Sequence, residues 1–285
     1  MVPGAHSPAV LITGCSSGIG EATARHLAGC GWAVYATARR AETLAGLVAG
    51  GCHALRLDVC DENSMRAAVE RVECDHGAVG VLINNAGYGL DGAVEELDLP
   101  AMRAQFETNL FGPTRLTQLV LPGMRRAGWG KIVNVTSVGG RITTPGAGAY
   151  HASKHALESL SDALRFEVEG FGIDVIVVEP GAIRTRWVEK VVGSIDAKRD
   201  RAGPYASFAT AVGRRLATND AGALALFAGE PIDVARVVEH AITTPRPATR
   251  YTVPSAARMF SLAHRWMPDR WWDLFMRTQY PRPGV

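Results

Sequence analysis

Residues 9–30 constrain this chain more than any other stretch. Ala9-Val10-Leu11-Ile12-Thr13 is a short apolar run of the kind that forms a fully buried parallel strand. Gly14-Cys15-Ser16-Ser17-Gly18-Ile19-Gly20 follows with no spacer, and from Glu21 to Cys30 apolar or small residues recur at helical spacing. Glycines allow a tight turn and a close backbone approach, and a helix N-terminus offers free N–H groups at a positive dipole end. Strand, glycine turn and helix in that order predict a dinucleotide phosphate site. The glycines fall as Gly-x-x-x-Gly-x-Gly, not in the commoner Gly-x-Gly-x-x-Gly order.

The same alternation continues. Apolar strands are expected near 9–13, 32–37, 53–57, 79–84, 131–136, 173–179 and 250–253, with helices at 18–30, 61–76, 101–127, 150–170 and 231–243. This pattern predicts an α/β, doubly wound (Rossmann) fold: a mostly parallel seven-stranded sheet with helices on both faces. We expect a single catalytic domain over 1–285. The interval 186–230 breaks the rhythm, being rich in Ala, Gly and Arg. It follows the sixth strand, beside the carboxyl ends where open sheets bind ligands, so it reads as a substrate lid or a solvated helical insertion.

Tyr150 and Lys154 lie four apart on an expected helix, hence on one face. A phenol, whose free pKa is about 10, needs a nearby positive charge to pass a proton near neutrality, and a lysine supplies one. Ser137 ends an apolar run upstream. His151 and His155 are also four apart and could form half of a zinc site. No ligand cluster accompanies them, and packed or solvated histidines fit better; no metal is expected.

These motifs together resemble the short-chain dehydrogenase/reductase family. Thr13-Gly14-Cys15-Ser16-Ser17-Gly18-Ile19-Gly20 matches its cofactor turn, and Asn84-Asn85-Ala86-Gly87 the motif after its fourth strand. Asn109, Ser137, Tyr150 and Lys154 match its catalytic tetrad, and Pro180-Gly181-Ala182-Ile183-Arg184-Thr185 its nicotinamide-side motif. Asp58 with Val59 matches its adenine-contacting pair. The resemblance implies Tyr150 as general acid or base and Lys154 as the group that lowers its pKa and binds the nicotinamide ribose. Ser137 would bond the substrate oxygen, and Asn109 would hold a water on a proton path from Lys154. It also implies a homodimer or homotetramer paired through the helices near 101–127 and 150–170.

At the end of the second strand, Ala38 takes the position of the acid that binds NAD ribose hydroxyls, and Arg39 and Arg40 follow. No carboxylate repels a 2′-phosphate there, and Arg39 can reach one, so NADP(H) is expected over NAD(H). Within the family, Ser137-Val138-Gly139-Gly140-Arg141 and the Pro180 motif look most like the steroid and retinol dehydrogenase branch, implying a lipophilic carbonyl or alcohol substrate. A ketoacyl-thioester reductase, a sugar-nucleotide epimerase or dehydratase, and a non-catalytic dinucleotide-binding regulator are the alternatives.

Composition narrows the partners. A formal charge of +2 in 285 residues argues against nucleic acid. Five cysteines, an odd number with no Cys-x-x-Cys pair, read as reduced thiols in the cytoplasm. No apolar run approaches a membrane span. In the segment from Ala256 to Tyr280, Met259, Leu262, Ala263, Trp266 and Met267 form one apolar stripe, and Trp272, Phe275 and Met276 a second beyond Pro268. Arginines 258, 265, 270 and 277 are interleaved. A helix that buries its stripe, a pocket wall and a membrane-surface anchor are all open; we expect it to pack beside the lid and make the pocket apolar.

Overall fold

β1 (Ala9–Ile12) is buried at every position, as its unbroken apolar run requires. The computed structural model describes residues 7–185, 203–221 and 228–283. From β1 the chain alternates through α1 (Gly18–Gly29), β2 (Ala33–Ala38), the short α2 (Ala45–Val48), β3 (His53–Arg56), α3 (Glu62–His76) and β4 (Val81–Asn84). The second half runs α4 (Leu99–Phe106), α5 (Gly112–Ala127), β5 (Gly130–Val135), α6 (Gly148–Val168) and β6 (Ile173–Pro180). It closes with α7 (Ala206–Ala221), α8 (Pro231–Thr243), β7 (Arg250–Val253), α9 (Ser255–Trp266) and α10 (Asp269–Gln279).

The seven strands form one parallel sheet in the order β3-β2-β1-β4-β5-β6-β7, with β1 flanked by β2 and β4. Strand order reverses between β1 and β4, and the crevice above their carboxyl ends is where such sheets bind ligands. Alternate side chains serve two cores. Val10, Ile12, Val34 and Ile83 pack under Leu27 of α1 and Val234 and Val238 of α8. Leu11, Tyr35, Leu82 and Ile132 pack under Val69 and Val72 of α3 and Leu116 and Val120 of α5.

Two expectations need correction. The helix over 101–127 is not continuous: a single π-helical turn, Glu107–Phe111, separates α4 from α5 and carries the buried Asn109. Gly112 follows it because its missing Cβ would lie 2.5 Å from the Val59 carbonyl oxygen. The Met259 stripe is not buried against the catalytic body either. Met259 is 75% exposed and Trp266 82%, and α9 has no buried residue. Its periodicity is real, but the face it marks is turned away from the core. The second stripe does dock: Met276 is buried, the Trp272 indole N–H donates to Thr143 O at 3.2 Å, and Tyr280 meets Phe208 of α7.

Of the expected lid, residues 186–202 and 222–227 lie outside the described residues. The described part is α7, whose Phe208 and Val212 pack with Ala93. No helix among the described residues is long and apolar enough to cross a membrane.

Candidate active site

The crevice is built from the turn outward. Thr13 Oγ1 accepts the backbone N–H groups of Asn85 and Ala86, both at 3.0 Å, and the Asn85 amide donates to Thr13 O at 2.9 Å and Gly14 O at 3.2 Å. The loops after β1 and β4 are thereby stitched together. Gly14 has φ +74°, and a Cβ there would sit 2.9 Å from Ala86 Cα; one at Gly20 would sit 2.5 Å from Gly14 O. Side chains would fill this turn.

Ser17 precedes α1 without capping it through its side chain, so the first-turn N–H groups of Gly18, Ile19 and Gly20 have no acceptor from that residue. Together with the small residues of the turn, this helix start has the shape and polarity that fit a pyrophosphate. Ser16 is exposed at its rim, and Thr185 closes over it, 3.3 Å from where a Gly18 Cβ would lie. The segment after β6 is held there by Gly181 N donating to Val253 O at 2.7 Å, an Ile183–Gly229 bridge, and the Arg184–Glu230 ion pair.

Arg39 and Arg40 after β2 are exposed; burial raises the Tyr88 phenol pKa, and Arg39 lies near enough to oppose that rise. Asp58 is held locally: its N–H donates to Ser64 Oγ at 2.9 Å, and its carboxylate accepts from Cys60 N at 3.0 Å. Val59 is buried beneath it.

The acid–base residues meet over the carboxyl end of β5. Ser137 Oγ accepts from Gly139 N at 3.0 Å, donates to Pro180 O at 3.4 Å and hydrogen-bonds the Tyr150 phenol. Burial pushes Tyr150 up to about 12; the Ser137 contact opposes this and the nearby Asp91 carboxylate adds to it. Lys154 is buried, with Nζ 6.0 Å from the centre of the Tyr150 ring and donating to Val135 O at 2.9 Å. Burial lowers it to about 8, partly offset by Glu158 one turn further on. In the free protein Ser137 is the group that draws the Tyr150 pKa down, while the Lys154 ammonium is anchored on the Val135 carbonyl.

Asn109 joins this group through the π-helical turn. Its Oδ1 accepts from Tyr88 N at 3.0 Å, and its Nδ2 donates to Tyr88 O at 2.9 Å and Ser153 Oγ at 3.0 Å. Gly87 lies between: a Cβ there would be 3.1 Å from Asn109 Oδ1 and 3.5 Å from Lys154 Nζ. Asn109 therefore ties the loop after β4 to α6 directly. His151 accepts from Thr144 N at 3.1 Å and is lowered to about 4 by burial; His155 Nδ1 meets His151 O at 2.9 Å. His151 is packed and His155 is exposed to solvent. The described His26–Cys30–Glu239 cluster lies on the α1–α8 face, away from Tyr150.

Sequence reasoning missed the support beneath the site. Glu158 accepts from Thr136 Oγ1 at 2.6 Å and from Arg250 at 3.0 Å, while Arg250 also pairs with Asp162 and Glu179. This partly buried charge cluster locks α6 to β6 and β7. Tyr150, Lys154 and Glu158 repeat at intervals of four, so the helical spacing could have found Glu158. Asp91, in the loop after β4, carries no such signal.

Comparison with known proteins agrees with this geometry. A family model described as short chain dehydrogenase matches residues 8–194. The Escherichia coli (strain K12) "Uncharacterized oxidoreductase YbbO" is 35% identical over 269 residues, covering 94% of this chain and 93% of that protein. Human 17-beta-hydroxysteroid dehydrogenase type 1 is 37% identical over 262 residues, covering 85% of this chain and 76% of that protein. The crystal structure of a short-chain dehydrogenase from Streptomyces avermitilis superposes with a TM-score of 0.78 at 35% identity, covering 90% of this chain and 92% of the other. The chain belongs to the short-chain dehydrogenase/reductase family and is similar to its steroid dehydrogenase-like branch; members of the family bind a nicotinamide dinucleotide and oxidise CH–OH groups or reduce carbonyls.

Proposed function

We propose that this oxidoreductase is NADP(H)-dependent and works on a lipophilic carbonyl or alcohol, with Tyr150, Ser137, Lys154 and Asn109 as its catalytic group. The observation that carries the reading is the Tyr150 phenol hydrogen-bonded to Ser137 beside the buried Lys154 ammonium. When bound, the dinucleotide supplies or takes up the hydride. Tyr150, protonated at neutral pH in the free protein, donates its phenolic proton to the substrate oxygen as negative charge gathers there. Ser137 Oγ steadies the same oxygen with a hydrogen bond. Lys154, which keeps most of its charge near neutrality, stabilises the tyrosinate left behind.

In this reading Gly14, Ser16, Ser17, Gly18, Ile19 and Gly20 hold the pyrophosphate at the α1 N-terminus, and Thr13 fixes the turn. Arg39 takes the 2′-phosphate, and Asp58 and Val59 border the adenine. Asn85, Ala86 and Gly87 on one side and Pro180, Gly181, Ile183 and Thr185 on the other flank the nicotinamide end. Likeness to the human hydroxysteroid dehydrogenase supports a lipophilic substrate, as does the apolar cluster of Ala93, Phe208 and Val212 with Tyr205 and Tyr280. The arrangement is read as a single catalytic domain in a reducing, cytoplasmic setting. Phe111 on the turn before α5, and Leu160 and Phe166 on α6, are exposed large apolar groups, which supports pairing of those helices in a homodimer or homotetramer.

The test is oxidation of NADPH by purified protein across a panel of apolar ketones and aldehydes, repeated with NADH. Turnover with NADPH at the higher kcat/KM is expected. Turnover only with NADH would overturn the cofactor assignment, and preference for small polar carbonyls would overturn the substrate class.

A further inference from the structure

Asp91 is buried where nothing in the described protein pairs with it. It is 7% exposed, and its Oδ2 is enclosed without a hydrogen-bond partner among the described residues. The other buried carboxylates nearby are paired: Glu158 with Thr136 and Arg250, and Glu179 with Thr252, Arg141 and Arg250. An enclosed carboxyl with no partner costs free energy, so its retention calls for a ligand that completes it.

The loop around Asp91 is firmly placed. Leu90 before it is buried, and Gly92 after it donates its N–H to Gly146 O at 2.7 Å, in the loop that leads into α6. Ala93 then packs on Phe208 and Val212 of α7. Asp91 thus sits in a bridge from the helix of Tyr150 to the apolar wall, and its charge acts on the Tyr150 phenol.

The geometry points to Asp91 as a specificity-determining residue that accepts a hydrogen bond from a hydroxyl or ammonium carried by the substrate next to its reacting carbonyl. This rests on the reading of Tyr150 as the group that protonates that carbonyl oxygen, because the oxygen's position then fixes which substrate atoms lie near Asp91. Burial raises the Asp91 carboxyl to about 7, so an accepting carboxylate is available near neutrality, and a bound ammonium would favour it further. A site built to pair a polar group rejects the analogue that lacks it, since the enclosed acceptor is then left unpaired.

The test compares a medium-chain methyl ketone with the same ketone carrying an α-hydroxyl or an α-ammonium, using NADPH and the full-length protein. The wild type should favour at least one substituted ketone in kcat/KM by about ten- to a hundredfold, expressed mainly in KM. Asp91→Leu should abolish that ratio. Asp91→Asn, which keeps the shape and a neutral acceptor, should retain most of a hydroxyl preference but lose an ammonium preference, and so tells the two donors apart. Circular dichroism confirms that each variant is folded. A ratio that persists in folded Asp91→Leu, or a wild type that reduces the parent ketone as well as both derivatives, overturns the role of Asp91 and leaves carbonyl reduction standing. A wild type that reduces none of the three overturns both.

Discussion

Burial sets the protonation of the three groups at the head of α6, each in the direction that disfavours charge: Tyr150 up to about 12, Lys154 down to about 8, His151 down to about 4. The histidine gives a stability consequence that does not depend on catalysis. Its folded pKa lies below the unfolded value of 6.5, so the unfolded chain binds more protons between about pH 6.5 and 4. Its contribution is present above pH 6.5 and is lost as pH falls through 4. His151→Gln should therefore reduce the acid sensitivity of the unfolding free energy in that window, by up to about 3 kcal/mol relative to wild type. Urea melts at both ends of the window check it; parallel pH dependences of the two proteins would contradict it. At the other end of the crevice, Arg39→Ala should weaken NADPH binding by about 1.5–3 kcal/mol and leave NADH nearly unaffected. Dissociation constants for both cofactors measure this, and an equal loss for both would refute the 2′-phosphate role. That Tyr150 and Lys154 share a helix face was legible from their spacing, whereas Ser137 and Asn109 entered through the family resemblance. What spacing could not report was that Asn109 spends its amide on Tyr88 and Ser153, or that Asp91 is enclosed, since both depend on how separate loops meet.

At the scale of elements, the strands were the most legible part, because buried parallel strands are near-continuous apolar runs. β7, a strand of only four residues, and α8 begin and end where the sequence indicates. The π-helical turn before α5 was not legible: inserting one residue per turn over Glu107–Phe111 leaves no break in composition, although it aims Asn109 at α6. The α9 stripe failed for a different reason. Helical periodicity says that a helix has an apolar face and not what that face meets, and the exposed Met259 and Trp266 show that most of this face is left open by the described chain. The glycine turn allows a sharper test. Gly14→Ala forces an L side chain into φ +74° and drives a Cβ to 2.9 Å from Ala86 Cα, backbone that cannot rotate away. We expect a loss of about 2 kcal/mol or more in stability and a weakened cofactor site. Unchanged thermal midpoint and NADPH affinity would show that the turn is not held as described.

For the whole molecule, the parallel sheet, its switch point between β1 and β4 and the loops above them all follow from the alternation of apolar strands with amphipathic helices. Oligomeric state does not, because an exposed apolar face on one chain is silent about its partner. Light scattering should give two or four times the 30.4 kDa chain mass, and the mass of one chain at working concentration would contradict pairing through α5 and α6. In the proposed function, the fold sets a transferable proton at Tyr150 against a hydride from a nicotinamide. That role is tested most directly by comparing Tyr150→Phe with wild type in two assays, single-turnover carbonyl reduction and NADPH binding. The variant should lose about 10²–10⁴-fold in reduction rate while its NADPH dissociation constant barely moves. A variant that reduces carbonyls at near wild-type rate would contradict it.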